Sequence, residues 1–215
     1  MSHSLNEIEA MSKRAARGAG LSWGLSEEAS KGTRWLAAYG YPGPKLLADL
    51  LELNDRLPHI DFTPMSLDGV WCAPAGRLSP LIAGAAMSDC AIKMEAGEVI
   101  SMRHVSFPLL VVPFAAGAAL RLNAPVAVKW GNVRLTTNGK SLCAQGEYDE
   151  MLTDHADLVE CAAPVAMTSP AKPVMRADVD EECWERLGAF AHRTYAPATD
   201  ASRLLGAGAG LNDND

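Results

Sequence analysis

Three observations predict an α+β fold. Helical periodicity fills residues 4–54, strand alternation and two tight-turn signals occupy the centre, and another amphipathic stretch follows near the end. Helices in one run and strands in another point to segregated layers rather than alternating βαβ units. No G-x-G-x-x-G stands between a strand and a helix, which speaks against a Rossmann site. The expected organisation is an N-terminal three-helix segment over 1–55, then a central, mainly antiparallel β-sheet region with a three-stranded meander over 56–176. A C-terminal helix and Gly-rich tail over 177–215 complete what reads as one domain.

Each element has its own signal. Ser4 and Glu7 form a capping box, and Leu5, Ile8, Met11, Ala15 and Ala19 recur on one helical face until Gly18 and Gly20. Ser26 is placed to cap a second helix carrying Glu27 and Glu28 at its start and Arg34 at its end, which suits the helix dipole. Gly40 and Pro42 stop it. Pro44 opens a third helix with Leu46, Leu47, Leu50, Leu51 and Leu53. From 53 to 79 the pattern loosens into a long connection, and the Ala-rich run 80–94 suits a short helix. A last helix over about 178–192 sets Val179, Cys183, Trp184, Leu187 and Phe190 on one side.

Residues 98–105 alternate as a strand, with Ile100, Met102 and His104 on one face and Ser101, Arg103 and Val105 on the other. Gly131-Asn132 and Asn138-Gly139 suit two-residue hairpin loops. The first loop sets Trp130 opposite Val133, Val128 opposite Leu135 and Lys129 opposite Arg134. The second sets Leu135 opposite Leu142 and Val133 opposite Ala144. Both put Val126, Val128, Trp130, Val133, Leu135, Leu142 and Ala144 on one face. A further strand is expected over 158–165.

Composition narrows the function. The 215 residues carry a net charge of −7, which argues against a nucleic-acid binder or a protein drawn to anionic membranes. The most apolar run, 107–120, is interrupted by Pro108 and Pro113 and falls short of a membrane span, so it reads as core. The N-terminal residues carry no basic start followed by an apolar segment. Five cysteines without C-x-x-C spacing read as reduced, buried thiols. A cytoplasmic protein is the expectation.

Several groups are candidates for chemistry. Lys129 facing Arg134 is a like-charge pair that an anion would relieve, and Glu147, Asp149 or Glu150 would serve the same end. Asp154 beside His155, with Asp157 nearby, could orient a general base; a hydrated acidic loop explains the same residues. His104 is a catalytic candidate with Arg103 as a ligand-binding neighbour, although a histidine on an apolar face is more often a hydrogen-bonded core residue. Arg14, Arg17, Trp23, Glu27, Glu28, Arg34 and Trp35 form a polar and aromatic cluster in the first two helices. In the tail, Gly206, Gly208 and Gly210 permit close backbone approach. There Asp213 and Asp215 offer hard oxygen ligands for a divalent cation such as Mg²⁺ or Ca²⁺, or for an arginine patch.

At the level of motifs the chain resembles a bacterial family of domains of unknown function. The residues that carry this are Leu5-Asn-Glu-Ile-Glu-Ala, Lys13-Arg-Ala-Ala-Arg-Gly-Ala-Gly and Trp23-Gly-Leu-Ser-Glu-Glu-Ala near the start. Arg203-Leu-Leu-Gly-Ala-Gly-Ala-Gly and Asp213-Asn-Asp carry it near the end. The resemblance implies kinship and no catalytic residues. Two functions follow as expectations. The first is a small-molecule enzyme or binding protein acting on an anionic metabolite. The second is a homo-oligomeric or accessory interaction protein that uses the Gly-rich arm.

Overall fold

A computed structural model of the chain describes residues 1–163, 165–167 and 171–195. Strand β1 (Ser2–Ser4) leads into helix α1 (Leu5–Gly18) through the predicted capping box. The Ser4 hydroxyl accepts from Glu7 N at 3.3 Å and the Glu7 carboxylate accepts from Ser4 N at 2.7 Å. Helix α2 (Trp23–Ala38) begins a turn before the expected cap. Ser22, in extended conformation, accepts from Leu25 N, and Ser26 is instead buried inside the first turn, donating to Leu21 O. Helix α3 (Gly43–Leu53) opens on Gly-Pro, as read from the sequence.

The loose connection carries a second strand, β2 (Val70–Trp71), before helices α4 (Pro80–Asp89) and α5 (Ala91–Glu95). Strand β3 (Ile100–Ser106) is followed by a 3-10 turn (Pro108–Val111) and helix α6 (Val112–Leu122), so the apolar run 107–120 is helical core. Strands β4 (Val126–Trp130), β5 (Val133–Thr137) and β6 (Leu142–Gln145) form the meander. After them come a short helix α7 (Tyr148–Met151), strand β7 (His155–Ala162), strand β8 (Arg176–Asp178) and helix α8 (Glu181–His192).

The main sheet has the order β2-β3-β7-β4-β5-β6. It is mixed rather than wholly antiparallel, because β2 runs parallel to β3. A parallel neighbour needs a crossover, and α4 and α5 supply it. Helices α4 and α6 pack on one face of the sheet, and α1, α2, α3 and α8 pack beyond them. Ile100, Cys161, Val128 and Leu135 lie side by side across four strands on the covered face, each buried. The first hairpin has the predicted register, Trp130↔Val133 to Val126↔Thr137. The second is displaced by two residues, pairing Leu135 with Ala144 and Thr137 with Leu142. Asn138 explains the shift: its side-chain oxygen accepts from Lys140 N and Ser141 N, closing a longer loop. A shift of two preserves facing, and Leu142 remains buried while Ala144 is exposed at the sheet edge.

Strands β1 and β8 pair as a separate ribbon that ties the N-terminus to the start of α8. The Met1 amino group donates to Val179 O, and Val179 N returns a bond to Met1 O.

No disulfide joins any of the five cysteines. Burial pushes the Cys161 thiol up to about 12, with the Glu160 charge adding to it, and burial pushes Cys183 up to about 11. Since the thiolate is the reactive form, native-state alkylation at neutral pH is expected to label the half-buried Cys72 and Cys90 and to spare Cys161 and Cys183. Peptide mass spectrometry reads this directly, and labelling of Cys161 before unfolding would contradict its packing.

Candidate metal centre

The sequence pattern turns His104 inward with Ile100 and Met102. The structure turns it outward. His104 adopts a left-handed backbone conformation, φ +52°, in the middle of β3. Ile100 and Met102 are buried before it and Val105 and Ser106 after it, with Arg103 and His104 both exposed. The alternation therefore changes phase at this residue. The partner strand does the same: in β7 Ala156 is buried, Asp157 and Leu158 are exposed, and Val159 is buried again. The flanking pairs, Arg103↔Leu158 and Val105↔Ala156, keep one register, so His104 falls opposite Asp157.

This break gathers three side chains. His155 and Asp157, two residues apart on a strand, share a face, and His155 Nε2 lies 3.1 Å from Asp157 Oδ1. His104 Nδ1 lies 3.7 Å from the same carboxylate oxygen. The two imidazole rings stack with centroids 5.5 Å apart and planes 15° apart. One donor atom from each of the three lies within 4.8 Å of the others. Bonds of about 2.0–2.2 Å to one first-row metal place its ligand atoms roughly 3–3.5 Å apart, a spacing that the two shorter separations from Asp157 Oδ1, 3.1 and 3.7 Å, come near. Among the described residues no other group of His, Cys, Asp and Glu meets this spacing.

The centre opens onto solvent. An open cleft of about 410 Å³ adjoins it, lined by His155, Asp157, Leu158, Glu150, Thr153 and the Trp130–Val133 hairpin. Thr153 Oγ1 donates to His155 O, and Trp130 Nε1 donates to Glu150 O, which fix the cleft wall. Two imidazoles and one carboxylate with open positions around them are a donor set for zinc or ferrous iron rather than for magnesium or calcium.

The other sequence candidates are placed as follows. Asp154 is not in the group: its backbone oxygen accepts from Phe107 N, and the carboxylate two residues beyond His155 takes the role expected of it. Arg103 is exposed beside His104 and has no carboxylate partner among the described residues. Lys129 does face Arg134. Its neighbour on the far side is Glu160 of β7, with 3.9 Å between Nζ and Oε2. The meander alone does not reveal that partner, because β7 joins β4 from the opposite edge. Arg134 faces Gln145 on β6. Asp213, Asp215 and the glycines of the tail lie outside the described residues. The helical cluster holds in part: Arg14, Arg17 and Trp23 line one hollow, whereas Arg34 pairs with Glu9 at 2.9 Å, Glu27 pairs with Lys13 at 2.6 Å, and Trp35 packs on Tyr39.

The fold is thus an α+β sandwich with a candidate metal centre between two strands of its sheet. Residues 3–79, a little over a third of the chain from β1 to the loop before α4, match a family described as protein of unknown function (DUF3726). This is the kind of uncharacterised family that the N-terminal motifs resemble. The matched segment ends before His104, His155 and Asp157. No curated protein matches the chain. Among the described residues no helix is long and apolar enough to cross a membrane.

Proposed function

We propose that the protein binds a divalent transition metal through His104, His155 and Asp157 and acts with it on a small anionic metabolite held in the adjoining cleft. The observation that carries this reading is the left-handed backbone of His104. A non-glycine residue held there inside a strand is strained by roughly 1–3 kcal/mol, and what the strain achieves is to bring a second imidazole onto Asp157. A metal of this class supplies Lewis-acid activation of a ligand oxygen. Arg103, one residue from His104, offers a planar fork of donors for a carboxylate or phosphate of the substrate. Glu150 and Thr153 line the cleft wall as polar positioning groups.

The test is isothermal titration of the chelator-treated full chain with Zn²⁺. One equivalent is expected to bind the wild type, and His155→Ala and Asp157→Asn are each expected to weaken binding by about 100-fold or more, since even the outer partners of metal ligands are worth 10–100-fold. All three side chains are exposed, so melting curves should stay near wild type. An unchanged titration in His155→Ala would overturn the proposal.

A further inference from the structure

Where α1 meets α8 lies a concave site of about 420 Å³ lined by Lys13, Arg14, Arg17, Trp23, Arg193 and Thr194. Its floor is rigid. A Cβ on Gly18 would come within 1.7 Å of Phe190 O, so the two helices touch backbone to backbone there. Four cations line one hollow in a chain of net charge −7.

Two of these cations are already neutralised. Arg193 holds both oxygens of Asp55 at 2.6 and 3.1 Å, and that fork keeps the Asp55 carboxyl below its usual range. Lys13 is paired with Glu27 at 2.6 Å. The other two have neutral partners only, among the described residues. Arg14 donates to Ala10 O at 3.4 Å and to the Tyr195 hydroxyl at 3.2 Å. Arg17 donates to Leu21 O and lays its guanidinium 4.4 Å from the Trp23 ring centroid. Trp23 itself is 68% exposed at the start of α2, an unusual setting for the most costly aromatic to leave in water.

We infer that this hollow is a binding site for a phosphomonoester carrying a flat ring, a mononucleotide in its simplest form. Arg14 and Arg17 hold the phosphate through charge-assisted donors, and Trp23 receives the ring. Guanidinium forks match phosphate oxygens, and an exposed indole is a stacking platform whatever the base. The volume lies in the range of small-ligand sites. This site shares no residue with the metal centre, and neither proposal depends on the other.

The experiment is calorimetric titration of the full chain with adenosine monophosphate, inorganic phosphate and adenosine. The monophosphate is expected to bind saturably and more tightly than either part alone. Arg14→Gln combined with Arg17→Gln is expected to lose about tenfold or more in affinity, about 1.4 kcal/mol or more. Trp23→Ala is expected to reduce the monophosphate to the affinity of inorganic phosphate. Both variants change exposed or partly exposed side chains, and their melting curves report whether the fold is kept. Should the double variant fail to fold, the Trp23→Ala titration decides alone. Absence of saturable binding by the monophosphate would overturn the inference. So would inorganic phosphate binding as tightly, or a well-folded double variant that binds like wild type.

Discussion

Trp71→Ala is expected to lower stability by about 3–5 kcal/mol, the cost of emptying a large aromatic site in a packed core. Trp71 is 1% exposed although it belongs to a strand of two residues. It pairs in parallel with Met102, itself fully buried, and joins the same core cluster as Leu78 and Met87. For a chain of this length each kcal/mol moves the midpoint by roughly 2–4 °C, so a fall of about 6–20 °C is expected in a thermal melt. Val70, the other residue of β2, is half exposed, and Val70→Ala serves as the control with an expected change of less than about 0.5 kcal/mol. If both variants melt together near the wild-type midpoint, β2 is not part of the core.

That contrast shows where the fold was legible and where it was not. Elements with local signatures can be read from local residues. Ser4 and Glu7 specify the start of α1, and Gly131-Asn132 fixes the pairing of β4 with β5. Trp71 has no such signature. Its two-residue strand is too short for periodicity to register, and only the partner β3 makes it a strand. The two-residue displacement of β6 has a similar origin. Asn138-Gly139 is a sound turn signal, but Asn138 has a second use for its side chain, and bonding Lys140 and Ser141 lengthens the loop. The parity of the strand survived because alternation has a period of two.

The candidate centre was half legible. His104 and His155 stand out as residue types, but the sequence pairs His155 with Asp154 and starts the strand at 158, so Asp157 emerges as the partner only because β7 already begins at His155. What could not be read was the meeting of β3 with β7. Fifty residues separate the two histidines, and the inward phase that Ile100 and Met102 predict for His104 is reversed by one backbone angle. Periodicity assumes regular dihedrals, so it fails at a residue that departs from them. Such departures are where sequence consistency is expected to break for functional reasons. The same reasoning accounts for Lys129, whose like-charge contact with Arg134 was legible from the hairpin while Glu160 was not.

The backbone of His104 allows the strain to be separated from the ligand. At an ordinary strand position glycine is less stable than alanine by roughly 0.5–1 kcal/mol, because it has more freedom to lose. In the left-handed region the order reverses, since a Cβ there costs roughly 1–2 kcal/mol that glycine avoids. His104→Gly is therefore expected to be more stable than His104→Ala by about 0.5–1 kcal/mol in urea denaturation without metal. Both variants lack the imidazole, so both are expected to bind Zn²⁺ about 100-fold or more weakly than wild type, as a lost ligand exceeds a lost outer partner. With saturating Zn²⁺ the wild type gains roughly 2.7 kcal/mol at a hundred times its Kd, and neither variant gains comparably. An alanine variant more stable than the glycine variant would show that position 104 tolerates a side chain freely, and the strain would cease to be an argument for function. A glycine variant that is more stable yet binds metal as wild type would leave the strain real and remove His104 from the centre.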